Sequence, residues 1–153
     1  MLYVEAPDEY TGQSAAVFLA GGISNAEDWQ AELVASLAGI DAAVLNPRRK
    51  DFPMGHPEEG RRQIAWEHRH LERADLVAFW FPPQTVCPIT LFELGACSSS
   101  PTAIVVGTHP NYARRFDVTV QLGLRRPEVT VLRSLEDLAR AISEHPALQG
   151  TIS

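Results

Sequence analysis

The sequence predicts a single α/β domain built on a doubly wound sheet of five parallel strands with helices on both faces. Apolar runs of strand length alternate along the chain with segments of helical period, the pattern of a parallel sheet flanked by helices. The first such run carries no charge, as a strand buried on both faces should. The length of 153 residues is that of one compact domain with one core.

The first strand is predicted at 15–20 (AAVFLA) and ends at Gly21 and Gly22, where the backbone can approach a ligand closely. The segment that follows, SNAEDWQAELVASLAG, has apolar residues at a spacing of four and stops at a glycine, which indicates a helix. Ser24 or Asn25 is the expected capping residue.

The remaining elements alternate in the same way, with the long polar loop RRKDFPMGHPEEG after the second strand. Strands are predicted at 41–47, 75–81, 102–107 and 128–132, and helices at 58–74, 88–99, 111–123 and 134–145, the last capped by Ser134. This order predicts a Rossmann- or flavodoxin-like fold. We expect 1–14 to be an N-terminal extension and 146–153 a C-terminal tail.

Composition excludes several classes of function. The net charge of −6, with dispersed basic residues, offers no continuous positive surface for a nucleic-acid duplex. Cys87 and Cys97 form no CxxC pair, so we expect two free thiols, no disulfide and no structural metal. The GGISN turn lacks a P-loop lysine, and no cofactor is expected. Without a leader-like segment or a long apolar run, a cytoplasmic protein with no membrane partner is predicted.

Glu93, in the stretch LFELGA, is the first candidate for chemistry. In open sheets of this kind, ligands bind beyond the carboxyl ends of the strands, and Glu93 comes in the early turns of a helix that follows a strand. Pro88 can start that helix, and the partial positive charge of a helix N-terminus favours an ionised carboxylate, which is a nucleophile. The alternative is a glutamate on the outward face of the helix, in contact with water.

Glu67 is the second candidate. With Ile64 and Leu71 as core-facing positions, Glu67 lies on the apolar stripe of its helix or at the edge of it. Such a charge is explained either by structural pairing with Arg or His or by a role in function, and the sequence leaves both open. Two carboxylates converging beyond the strand ends favour cleavage of a glycosidic bond.

Three features carry a family resemblance: FLAG at 18–21, an acidic residue on the helix before ADLVAFW, and the signature ending in FELGA. Residues from about 15 to 145 resemble the nucleoside 2-deoxyribosyltransferase-like superfamily. The resemblance implies cleavage or transfer at the N-glycosidic bond of a nucleoside or nucleoside monophosphate. It implies Glu93 as the nucleophile, which forms a glycosyl ester, and Glu67 as the acid that assists the nucleobase.

The resemblance also implies a set of substrate-binding residues, namely Phe18, Ala20, Gly21, Gly22, Asn46, Arg48, Cys87 and Asp117. Cys87 replaces an Asp that is frequent in the family, and Phe18 replaces a Tyr. Asp117 stands where the family has an Asn that a neighbouring subunit delivers to the 5′ end of the sugar, and this carboxylate would repel a 5′-phosphate. Arg48 and Arg49 either bind phosphate or form a solvated pair in the loop.

The expected partners are therefore a nucleoside or nucleotide, a free nucleobase and a second copy of the chain in a homodimer or larger homo-oligomer. The competing hypothesis is a catalytically silent nucleotide-binding module, which Cys87 favours and the presence of both glutamates opposes. A purely structural protein would leave Glu67 unexplained. His68, His70 and His109 show no metal-ligand spacing and are expected at the surface.

Overall fold

A sheet of six parallel strands forms the middle layer of the computed structural model, which describes residues 1–149. Residues 150–153 of the predicted tail lie outside the described part. The strands are β1 (Leu2–Glu5), β2 (Ala16–Gly21), β3 (Ala43–Asn46), β4 (Leu76–Phe81), β5 (Ala103–Thr108) and β6 (Val131–Leu132). Their order in the sheet is β1-β3-β2-β4-β5-β6. The predicted doubly wound α/β fold is confirmed, and the strand count is corrected from five to six.

Five helices cover the two faces of the sheet. They are α1 (Trp29–Ser36), α2 (Pro57–Arg73), α3 (Pro88–Ser98), α4 (Arg115–Arg125) and α5 (Leu135–Ser143), with a short 3₁₀ helix at Pro146–Leu148. Buried residues of α1 and α5 pack on one face, and those of α2, α3 and α4 pack on the other. Among residues 1–149, no helix has the length and apolar character needed to cross a membrane.

The N-terminal residues are part of the domain, which corrects the prediction of an extension at 1–14. Strand β1 pairs in parallel with β3 at the edge of the sheet. After it, Tyr10 is buried and its backbone N–H donates to Nε2 of His70 at 3.0 Å. His70 is only 2% exposed, so its predicted surface position is wrong. A four-residue edge strand with two exposed side chains has too little apolar pattern to be recognised in a sequence.

Two local predictions about the remaining elements also need correction, and one is confirmed. The cap of α1 is Asp28, whose Oδ1 accepts from the N–H of Ala31 at 3.1 Å, rather than Ser24 or Asn25. The predicted strand 128–132 shortens to β6, which only borders β5 at the sheet edge. Ser134 caps α5 as predicted. The capping residue was therefore predicted correctly for α5 but not for α1, where the expected residues lie before the true cap.

Helix α2 turns a different face to the sheet from the one that Ile64 predicted. Ile64 is 67% exposed, whereas Trp66 and His70 are buried and stack on each other with ring centroids 3.9 Å apart. Gln63 and Glu67 lie next to these residues at helical spacing and are partly buried. The expectation that Glu67 lies along the inward side of α2 is met, although the residues that define that side are Trp66 and His70.

The strand order reverses between β2 and β4. From β2 the chain moves outward to β3, and α2 then carries it back across the sheet to β4 on the other side of β2. Connections leaving β2 and β4 therefore diverge, and a crevice opens beyond their carboxyl ends. In folds of this class such a crevice is the usual ligand site.

Candidate active site

A cavity of about 290 Å³ occupies that crevice. Its volume is at the lower end of the range of small-molecule sites, about 300–1,000 Å³. The wall is built by the end of β2 with its loop, the residue after β3, α2, the loop after β4 and the first turns of α3. The lining residues are Phe18, Ala20, Gly21, Gly22, Ile23, Ser24, Pro47, Glu67, Thr85, Cys87, Pro88, Ile89, Thr90 and Glu93.

The glycine pair at the end of β2 is required by packing around the cavity. A Cβ on Gly21 would clash with the Trp29 ring and lie 2.5 Å from the backbone oxygen of Trp80, and one on Gly22 would lie 2.8 Å from Sγ of Cys87. Trp29 also donates its indole N–H to the carbonyl of Gly22 at 2.9 Å. The absence of side chains here lets α1 and the loop after β4 close on the end of β2.

Cys87, the N-cap residue directly before α3, has a left-handed backbone conformation with φ of +54°. Val86, just before it, accepts a hydrogen bond from the hydroxyl of Tyr112 at 2.7 Å, which ties the loop to the segment after β5. Burial raises the pKa of the Cys87 thiol to about 11. Cys87 therefore presents a neutral thiol to the cavity at neutral pH, a weak donor in place of a charge.

Glu93 reaches the cavity from the sixth position of α3 and is partly buried. Burial, and then the negative charge of Glu67, raise its pKa to about 7. Both effects oppose the ionised form, which the positive end of the helix was expected to favour. Protonation of Glu93 is therefore much easier than for a carboxyl in water.

Glu67 reaches the same cavity from α2. Burial raises its pKa, and a hydrogen bond from Nε2 of Gln63 to Oε1 of Glu67, 2.8 Å long, acts in the opposite direction. The two carboxylates come from different helices, so only the fold brings them together. A pair of this kind can divide the roles of proton donor and nucleophile, because each charge disfavours ionisation of the other.

Electrostatic compensation of this pair by the chain itself is weak. Among the described residues that line the cavity, none is Lys or Arg. Within residues 1–149, no group of three or more His, Cys, Asp or Glu side chains is placed to hold a metal ion. Two partly buried carboxylates without a cation stay in place at the expense of stability, which is typical of functional sites.

A model of the nucleoside 2-deoxyribosyltransferase-like family matches residues 14–112 of the chain. The chain belongs to this family. The match covers about two thirds of the sequence, includes both cavity glutamates and Cys87, and ends before α4. Family membership supports glycosyl transfer at the level of nucleosides. No curated protein matches the chain closely enough to serve as a relative.

Three substrate-binding residues predicted from the family resemblance, Asn46, Arg48 and Asp117, lie outside the cavity. Asn46 is buried, donates Nδ2–H to the hydroxyl of Tyr3 and accepts the N–H of Arg48, both at 3.0 Å. Arg48 donates to Oε1 of Gln30 at 3.1 Å and to two backbone carbonyls before α1. These side chains join β3 to the start of α1, and their role in substrate binding stays a prediction.

Asp117, the predicted contribution of a neighbouring subunit, is exposed in the first turn of α4. It lies 3.7 Å from Nη1 of Arg114 and lines a cleft between α3 and α4, away from the cavity of its own chain. Asp117 does not contribute to the cavity of its own chain, and its delivery to a neighbouring subunit stays a prediction. Asp117 also falls outside the residues matched by the family model.

Thr90 is a cavity residue that the sequence reasoning missed. It is 5% exposed, lies one turn before Glu93 on the same side of α3, and lines the cavity. None of the side-chain hydrogen bonds within residues 1–149 uses its hydroxyl, so the group remains available to a ligand. The i, i+3 spacing from Glu93 was the signal that could have identified it.

Proposed function

We propose that the protein cleaves or transfers at the N-glycosidic bond of a nucleoside through a glutamyl-enzyme intermediate. Glu93 attacks C1′ of the sugar and Glu67 assists the departing base. The observation that carries this proposal is the meeting of these two carboxylates at one cavity, at the point of strand reversal, in a member of this family. Two displacements at C1′ give net retention of configuration.

The raised pKa values of the pair suit a reaction that needs one proton and one charge. Positive charge develops at C1′ as the bond to the base breaks, and it stabilises the ionised form of Glu93 in the transition state. The proton then resides on Glu67, which transfers it to the leaving base while the Glu93 oxygen bonds to C1′. In the second half, Glu67 accepts a proton from water or an incoming base as that group displaces Glu93.

A nucleoside with an uncharged 5′ end fits this cavity better than its monophosphate. The described lining carries two carboxylates and no cationic side chain. Arg48 is held by carbonyl and amide oxygens, and Arg49 is paired with Glu59 at 3.1 Å. A 5′-phosphate in this cavity would therefore meet two carboxylates. This chain alone would offer it no guanidinium partner.

The active unit that we propose is a homodimer formed through the outward faces of α3 and α4. Five large apolar side chains on these faces are exposed, which is typical of a protein–protein interface. They form the outer α3–α4 face: Ile89, Phe92, Phe116, Val120 and Leu124. Ile89 also lines the cavity, so the face is continuous with its mouth. A second copy seated here could bring its Asp117 towards the sugar, and a symmetric dimer is the simplest closed assembly.

The decisive experiment measures base release from a panel of nucleosides and their monophosphates by wild type and by Glu93→Gln. The amide keeps the shape of the side chain but cannot form the ester, so base release should be lost while ligand binding remains. Glu136→Gln on α5, at an exposed carboxylate, is the control and should be fully active. Wild type denatured during turnover should carry a pentosyl adduct on the peptide containing LFELGA.

Three outcomes separate the hypotheses. Loss of base release in Glu93→Gln together with the adduct supports the covalent mechanism. Base release by Glu93→Gln at the wild-type rate would contradict it. Tight binding of nucleosides by wild type without any base release would instead identify a ligand-binding module, the alternative that the neutral Cys87 thiol favours.

A further inference from the structure

Gln63 of α2 makes two hydrogen bonds that join the cavity carboxylate to the residue after β3. Its Nε2 donates to Oε1 of Glu67 at 2.8 Å and to the backbone carbonyl of Pro47 at 2.7 Å. Pro47 directly follows β3 and lines the cavity, as Glu67 does. One amide group therefore connects two walls of the site while lying outside the set of lining residues.

The orientation of this amide follows from its surroundings. Both neighbours present acceptor oxygens, so the NH₂ group and not the carbonyl oxygen of Gln63 must face them. The Oε1 atom of Gln63 is buried and has no hydrogen-bond partner among residues 1–149. Leaving a buried acceptor unpaired is unfavourable. The two hydrogen bonds that the NH₂ group donates offset this loss.

We infer that Gln63 is a positioning residue, which holds the Glu67 carboxylate against the rim of the cavity by donating one N–H to it and one to Pro47. This inference rests on the proposed function only for its effect on turnover. A donor to an ionised carboxylate stabilises the charged form, and here it opposes the effect of burial on the pKa of Glu67. Gln63 thereby sets how readily the acid of the pair gives up its proton.

The test compares Gln63→Met with wild type, since methionine keeps the length of the side chain and removes both donors. With glutamate carboxyls labelled with ¹³C, the NMR titration of Glu67 should move upward by about one pH unit. If Glu67 acts as the acid, the alkaline limb of kcat/KM for base release should move upward by about the same amount. Gln13→Met, at an exposed position before β2, is the matched control and should change neither quantity.

A second comparison separates positioning from a structural effect. In the Glu67→Gln background, Gln63→Met should shift no limb of the pH profile, because the titrating group is gone. In the unsubstituted protein, the ¹⁵N signals of the Gln63 amide should titrate with the midpoint of Glu67, a readout that does not depend on the variant folding. An unchanged Glu67 titration, or amide signals indifferent to it, would overturn the inference. A shifted titration in a protein that releases no base would leave the inference standing and reject the proposed function.

Discussion

Helices α2 and α3 each contribute one carboxylate to the same cavity, and they support it differently. On α2, Glu67 accepts a hydrogen bond from an amide of its own helix. On α3, Glu93 makes no side-chain hydrogen bond within residues 1–149, and burial together with the Glu67 charge raises its pKa to about 7. The same residue type therefore meets two environments, and in the proposed mechanism this difference separates the acid from the nucleophile.

The outward sides of these two helices differ as well. The solvent side of α2 is dominated by charged residues, with Ile64 as the exposed large apolar side chain there. On α3 the exposed positions include Phe92, 77% exposed, and Ile89. A charged outer side is satisfied by water, whereas an apolar one gains by being covered. This difference supports the proposed dimer, in which α2 faces solvent and α3 faces the second subunit.

Replacing each carboxylate in turn should have the largest effect on base release, and the two losses should differ. Glu93→Gln should abolish base release, and Glu67→Gln should reduce kcat by about 10² to 10⁴, the range for lost acid catalysis. Nucleosides with better leaving bases should shrink the Glu67→Gln loss, because they need less protonation, and should not restore Glu93→Gln. Equal losses on every substrate would show that the two carboxylates do not divide the roles. Single-turnover measurements on both variants provide the comparison.

A charge placed on the outer side of α3 should weaken dimer formation, and one placed on the outer side of α2 should not. Phe92→Asp on the outer α3–α4 face should weaken dimer formation by about 30-fold or more, because loss of a well-buried interface aromatic typically costs about 2 kcal/mol or more. Ile64→Asp makes the same kind of change at an exposed apolar residue of α2 and should leave the assembly unchanged. Sedimentation velocity over a range of protein concentrations measures both. A wild-type protein that is monomeric and fully active at micromolar concentration would contradict the proposed dimer.

The raised pKa of Glu93 predicts a pH-dependent stability. Between the ordinary value of 4.5 and about 7, the folded protein binds the Glu93 proton that the unfolded chain releases. The free energy of unfolding therefore falls as pH rises through this window, by an amount that approaches about 3 kcal/mol above it. Glu93→Gln removes this loss.

Urea unfolding at two pH values checks this prediction. The Glu93→Gln variant should be more stable than wild type at pH 8 and nearly equal to it at pH 4. Glu67→Gln should increase stability at pH 8 by less than Glu93→Gln does. In the unsubstituted protein the ionised Glu67 already accepts a hydrogen bond from Gln63. A Glu93→Gln variant that is less stable than wild type at pH 8 would show that the carboxylate is compensated in a way that the cavity does not reveal.

Thr90→Val is expected to have the smallest effect. The change keeps the shape of the buried side chain and removes one hydroxyl from the α3 wall. If that hydroxyl bonds the substrate, kcat/KM should fall about two- to tenfold, the value of one ordinary hydrogen bond. Thr119→Val on α4, at an exposed position, is the control. An unchanged kcat/KM in Thr90→Val would remove this residue from the substrate contacts.

Several features of the site could be predicted from local pattern. Alternating strands and helices predicted the doubly wound fold, and the position of Glu93 after a strand placed it at the ligand side of the sheet. The inward side of α2 could not be assigned in this way. Trp66 and His70 have both polar and apolar atoms, so they occur on exposed as well as on buried faces of helices. Gln63, Thr90 and the exposed apolar residues of α4 carry no motif, so their roles appear only in the packed molecule.

The sequence by itself determined the alternation of strands and helices after β1, the family and the two candidate glutamates, because these follow from hydrophobic period and from short motifs along the chain. Only the tertiary structure decided that Glu67 and Glu93 share a cavity without a cation among its described lining, that Arg48 is bound elsewhere, and that an amide holds Glu67. The physical reason is that a pKa and a hydrogen bond depend on distance and burial. Both are set by residues far apart in the chain, which meet only when the strand order reverses at β2 and β4.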